Sequence, residues 1–313
     1  MPGRCAVIAF LLVLPGCAPS PEASAGPDQV TVPLHIEGDR PFIDVRFRRP
    51  DGSMRSARFL LDTGGGGFLI TEDLAREIGL ERGEVTREEG TDFGIVTGLP
   101  EAFVGELSLA LQAGRVSAVI GKNNILPRAA PGHAEGMIPG HVLARYHVVF
   151  DYPGRTFTLA RPGSLKPAGV PLAMPVSRQM GFGRTEVEVD GATHGFLLDT
   201  GASFTMVSEV MLKSWGAAHP EWQRHDVAAA GAEPLGGQTL ETMFVRSARW
   251  GPNEVPRFGV VSQAEGVFER YMSRMMTSPI VGALGGNVLH RFRLELDYAN
   301  ETLYLSALLP ALR

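Results

Sequence analysis

The sequence predicts a mostly-β chain of two homologous β-rich lobes related by a pseudo-twofold axis. Three observations carry that expectation. The hexapeptide Phe-Leu-Leu-Asp-Thr-Gly occurs twice, at residues 59–64 and 196–201, so Asp62 and Asp199 stand 137 positions apart in matching surroundings. Alternation of period two, the mark of a half-buried strand, runs through Phe42 to Phe47 and again through Thr185 to Val189 before a turn at Asp190-Gly191. The similarity also extends well beyond the hexapeptide, as repeated supersecondary units require.

Each element has its counterpart. Val32-Pro33-Leu34 opens the first half and Val170-Pro171-Leu172 the second. After the first hexapeptide come Ile70-Thr71-Glu72 and Gly79; after the second, Val207-Ser208-Glu209 and Gly216. Thr71 and Ser208 suit the N-cap of a helix, because a hydroxyl there accepts from a free amide, and a Glu in the first turn favours the helix dipole. Leu74 with Ile78, and Met211 with Trp215, share a face at i,i+4 spacing, so one short helix follows each Asp-Thr-Gly loop. Gly79 and Gly216 are the expected stops. Residues 136–143 (Gly-Met-Ile-Pro-Gly-His-Val-Leu) then align with residues 282–289 (Gly-Ala-Leu-Gly-Gly-Asn-Val-Leu). Both lead through an aromatic, Tyr146 or Phe292, into a strand ending Asp151-Tyr152 or Asp297-Tyr298, a turn and a returning strand. The expected boundaries are residues 29–162 for the N-terminal lobe, 163–169 for a linker interrupted by Gly163, Pro167 and Gly169, and 170–313 for the C-terminal lobe. Gene duplication and fusion is the simplest account.

Residues 1–17 read as an export signal. Arg4 supplies the positive start, Ala6 to Leu14 the apolar stretch, and Leu14-Pro15-Gly16-Cys17 resembles a bacterial lipobox with Cys17 as the lipidated residue. Residues 18–28, rich in Pro, Ala, Ser and Gly, read as a flexible tether. Both cysteines, Cys5 and Cys17, fall in the export segment, so the expected folded body has no thiol to offer a disulfide, a nucleophile or a metal. A net charge of −5 without a basic stripe argues against nucleic acid as partner. The eight histidines show no metal-ligand spacing, no Gly-x-Ser-x-Gly surrounds a serine, and no Lys-Ser/Thr follows the glycine-rich stretches. No metal and no cofactor are expected.

What remains is the duplicated carboxylate. Two facing carboxyls that share a proton can activate water for amide hydrolysis. With both Asp-Thr-Gly copies in place, the chain resembles the aspartic peptidases, specifically the bacterial retropepsin-like kind with two lobes fused in one chain as in pepsin. The resemblance covers nearly everything after the first thirty residues and implies the bilobal aspartic-protease (acid protease) fold. It implies Asp62 and Asp199 as catalytic dyad, and Thr63 and Thr200 as the residues that lock the two loops across the axis. Gly64 and Gly201 allow close backbone approach, and Ser203 gives the second loop a hydroxyl that Gly66 lacks. It further implies a peptide or protein substrate, a monomer because both lobes are in one chain, and a glycine-bearing flap. Residues 90–94 and 231–237 are the candidates for that flap, and a segment over 263–276, with Val267, Tyr271 and Met275 at helical spacing, could wall one end of the cleft.

Two departures carry expectations of their own. Gly65 and Ala202 stand where pepsin-like enzymes place Ser or Thr, so the dyad lacks a donor to its anion and its acidity should fall. Pro139, in the place of Gly285, removes an amide from the support behind Asp62. By the family rule that Asp beside the lipidated cysteine retains a protein in the inner membrane, Ala18 points to a periplasm-facing outer-membrane lipoprotein. The alternative is a catalytically inactive envelope lipoprotein that binds peptides in the same groove; a narrower variant cleaves one dedicated partner.

Overall fold

The computed structural model describes residues 26–80, 82–88, 91–96, 99–111, 116–120, 133–222, 224–228 and 239–307. The expected export segment with Cys17, most of the expected tether, Gly90 and the flap candidate 231–237 lie outside the described residues. Strands dominate and helices are few and short, so the chain is mostly β. The first half builds a ten-stranded sheet and the second a seven-stranded one, while a six-stranded sheet takes three strands from each half.

The two half-sheets repeat one arrangement around their acids. Strand Met54–Asp62 runs antiparallel to Arg40–Arg48, with Phe42 opposite Leu60. It also runs parallel to Gly136–Pro139, which in turn pairs antiparallel with Phe68–Thr71. In the second half, Ala192–Leu198 pairs with Arg184–Val189, lies parallel to Gly282–Leu284, and that strand pairs antiparallel with Thr205–Ser208. Phe59, Leu60, Leu61, Phe196, Leu197 and Leu198 are all buried. Three consecutive buried residues mean that each acid-bearing strand is covered on both faces, which roots the Asp in the interior.

Both predicted helices form. Helix α1, Glu72–Glu77, begins where Thr71 Oγ1 accepts from the Leu74 amide at 3.3 Å, and Gly79 beyond it takes a φ of 75°. A one-turn helix α2 spans Gly140–Leu143. Helix α3, Glu209–Ala218, starts with Ser208 Oγ accepting from Met211 N at 3.1 Å. It does not stop at Gly216 but runs to Ala218. His219, whose amide bonds to Trp215 O at 2.8 Å, stacks on Trp222 at 4.2 Å, and Trp222 meets Trp215 edge-on. That aromatic stack holds the extra turn. Helix α4, Gly286–Leu289, repeats α2.

Segment 263–276 differs from its expected stripe. It winds as a π turn, Val267–Tyr271, and then a 3-10 turn, Met272–Met275. Neither has the 3.6-residue period, so Val267, Tyr271 and Met275 do not share a buried face. Phe268 is buried instead, and Tyr271 is exposed. Phe268 joins Phe182, Leu197 and Ile280 in a small methionine-rich cluster beside the main core. At the centre of the shared sheet, His147–Asp151 of the first half pairs antiparallel with Phe292–Asp297 of the second. Among the described residues, no helix is long and apolar enough to cross a membrane.

Candidate active site

The two Asp-Thr-Gly loops meet. Thr63 N donates to Thr200 Oγ1 at 3.1 Å, and Thr200 N donates to Thr63 Oγ1 at the same distance. Each hydroxyl then donates onward into the opposite half: Thr63 to Leu198 O at 2.6 Å, Thr200 to Leu61 O at 2.7 Å. Both threonines are buried, so every one of these polar atoms must find a partner inside the protein, and the reciprocal set satisfies them.

The lock fixes the acids beside each other. Asp62 lies against Gly201 of the opposite loop, and Asp199 against Gly64. Within its own loop, Asp62 Oδ1 accepts from Gly64 N at 3.0 Å, and Asp199 Oδ1 accepts from Ala202 N at 3.1 Å. The glycines explain how the halves approach so closely. A Cβ on Gly64 would fall 2.6 Å from Asp199 Cγ, and one on Gly201 would fall 2.3 Å from Asp62 Cγ. Gly65 is equally confined, its Cβ position lying 2.6 Å from Asp62 Oδ2, so a hydroxyl-bearing side chain has no room there.

Electrostatics separate the two carboxyls. Burial, then the charge of Asp199, holds Asp62 well above the ordinary carboxylate range against the pull of the Gly64 and Gly65 amides. Burial raises Asp199 too, but the hydrogen bond from Asp62, the Ala202 and Gly201 amides and the charge of Arg40 draw it back. Asp62 is therefore the carboxyl that more readily keeps a proton, and Asp199 the one that more readily ionises. No protein-family model matches the chain, and no curated protein matches it.

The other expected residues fall in varied places. Ser203 Oγ does not touch the acids; it donates to Gly38 O at 2.5 Å, tying a first-half turn to the second loop. Behind Asp199, Gly285 N donates to Thr205 Oγ1 at 3.2 Å, and Asn287 Oδ1 accepts from Thr205 N at 2.8 Å. Pro139 has no amide to give, and it sits in register with Asp62 in extended backbone, so the two supports differ as expected. Of the first flap candidate, residues 91–94 lie in strand Thr91–Val96, which forms a hairpin with Arg82–Glu88.

Two residues escaped the sequence reading. Tyr152 is buried, and burial first, then the charges of Asp199 and Asp39, keeps its hydroxyl protonated far into alkaline pH. Arg40 is only 6% exposed and feels both acids. A signal for it existed. Asp51-Gly52 marks the hairpin turn that sets Phe42 against Leu60, and continuing that register by two residues brings Arg40 level with Asp62.

Proposed function

We propose that the chain is an aspartic-type endopeptidase of the bilobal acid-protease fold. In this reading Asp62 and Asp199 hydrolyse peptide bonds of peptide or protein substrates in the bacterial cell envelope, where a lipid on Cys17 tethers the enzyme. The observation that carries the reading is the meeting of the two loops: the reciprocal Thr63–Thr200 lock holds each acid against the glycine of the opposite Asp-Thr-Gly. Each Asp is half-buried, so water can still reach the pair.

The chemistry follows from the charge state. Ionised Asp199 takes a proton from a water molecule lying between the carboxyls, and the oxygen attacks the scissile carbonyl carbon. Protonated Asp62 gives its proton to the carbonyl oxygen as the tetrahedral intermediate forms. Collapse of that intermediate returns the hydroxyl proton to Asp62, while Asp199 passes its proton to the leaving amine. The C–N bond breaks, one water is consumed and the pair regains its starting protonation.

Asp62→Asn and Asp199→Asn are the test. Each variant should fold, because an amide replaces a carboxyl of the same shape, and each should lose cleavage of a peptide library by about 10²–10⁴-fold, the usual worth of acid–base catalysis. Equal cleavage by wild type and both variants sinks the reading. Since both carboxyls are raised, the wild-type pH-rate profile should peak in the mildly acidic range, above about pH 3.

A further inference from the structure

We propose that Arg40 is a positioning residue that acts through the carboxyl pair, its buried guanidinium favouring the singly charged pair over the fully protonated one. The proposal rests on the reading of Asp62 and Asp199 as a catalytic dyad and adds a third charge to it. Three observations place that charge.

The first is register. Strands Arg40–Arg48 and Met54–Asp62 are antiparallel and pair as far as Phe42 opposite Leu60; continuing that register by two residues brings Arg40 level with Asp62. Residues directly opposite in an antiparallel pair project from the same face of the sheet. The second is confinement. The turn before Arg40 is clamped to the other half: Ser203 Oγ donates to Gly38 O at 2.5 Å, and Asp39 Oδ1 lies 3.3 Å from His290 Nδ1. Gly286 packs so tightly on Asp39 O that a Cβ there would lie 1.8 Å from it. Arg40, directly after this clamped turn, is 6% exposed. The third is asymmetry. In the second half Arg184 lies opposite Leu197, so the residue facing Asp199 in the same register is Phe182, buried among methionines. The strand arrangement repeats, but among the described residues this register places a cation in the first half and Phe182 in the second.

A buried cation is costly without a counter-charge. The pair with one proton supplies one negative charge, and the attraction on Arg40 comes from Asp199 first and Asp62 second. The other charged or titratable groups around this turn are Asp39, Glu37, His290, Arg291 and Tyr152. Glu37 is held by Arg58 Nη1 at 3.0 Å, His290 faces Asp39, and Arg291 donates to Pro256 O and Arg257 O.

The test compares pH-rate profiles of wild type, Arg40→Met and Arg40→Lys. A cation lowers the pKa of nearby acids, so its loss should move both limbs of the bell to higher pH, by roughly one unit. Lysine should restore most of the shift. A slower Arg40→Met enzyme with unmoved limbs means that Arg40 only fills space, and the proposal falls. It falls too if Lys shifts the limbs as far as Met. Should Arg40→Met not fold, carboxyl titration by ¹³C NMR in wild type and Arg40→Gln needs no turnover. Identical titrations there overturn the proposal, whereas a wild type that cleaves nothing overturns the peptidase reading and leaves the charge coupling to the titration.

Discussion

One methyl group is enough to disturb the centre of this molecule. Gly201 does not have positive φ, so alanine could adopt its backbone, but the added carbon would occupy space 2.3 Å from Asp62 Cγ. The acid or the loop must move. Because misplacing a reacting group by about 1 Å costs on the order of 10²-fold, Gly201→Ala should lose at least that much in kcat/KM. Its urea midpoint should fall far less than its activity. A variant with wild-type kcat/KM would show that the second loop has slack which the observed packing denies. The same crowding explains why Gly65 and Ala202, although both replace a hydroxyl-bearing residue of the pepsin-like pattern, are not equivalent: position 65 is closed by Asp62 itself.

At the level of elements, the supports behind the two acids are related but unequal. Asn287 Oδ1 accepts from Thr205 N at 2.8 Å and from Thr205 Oγ1 at 3.0 Å, and its Nδ2 donates to Gly259 O at 2.7 Å. One amide side chain thereby joins helix α4 to two strands. Asn287→Ala should cost about 1–3 kcal/mol in urea unfolding, since it strands partly buried backbone groups. His141 has the corresponding place in α2 and is half-buried; His141→Ala should stay within about 0.5 kcal/mol. Equal costs would remove the asymmetry. This scale also shows what the sequence could reveal. The caps were legible because Thr71 and Ser208 act three residues away, on Leu74 and Met211. The acids were legible because the repeat announced them. The end of α3 was not, since the Trp215–Trp222–His219 stack overrides the stop at Gly216. Nor was the partner of Ser203: Gly38 lies 165 positions earlier, and no local pattern joins residues so distant.

For the molecule as a whole, the shared sheet is where the halves are welded, and its centre is charged. His147 Nε2 and Glu295 Oε1 lie 2.9 Å apart across the central strand pair, at 2% and 1% side-chain exposure. Arg293 Nη1 reaches Glu295 Oε2 at 2.8 Å, and the Ala168 amide, on the segment between the halves, donates to the same oxygen at 3.2 Å. Burial alone would raise Glu295, but these partners outweigh it and hold the carboxyl below its ordinary range. A depressed carboxyl stabilises the fold fully above its unfolded pKa of about 4.3 and loses that contribution as the pH falls through the folded value. Removing the imidazole leaves a buried carboxylate short of a partner, so His147→Ala should cost about 3–5 kcal/mol at pH 7. Without the imidazole Glu295, left with Arg293 and the Ala168 amide, is protonated more readily, so the cost should shrink as the pH falls to 3.5. Urea unfolding of wild type and His147→Ala at the two pH values measures it. A penalty unchanged between pH 7 and pH 3.5 would mean that the ring contributes packing alone, and the weld between the halves would then be apolar, carried by the strand pairing and by Val148, Phe150, Leu294 and Leu296 around it.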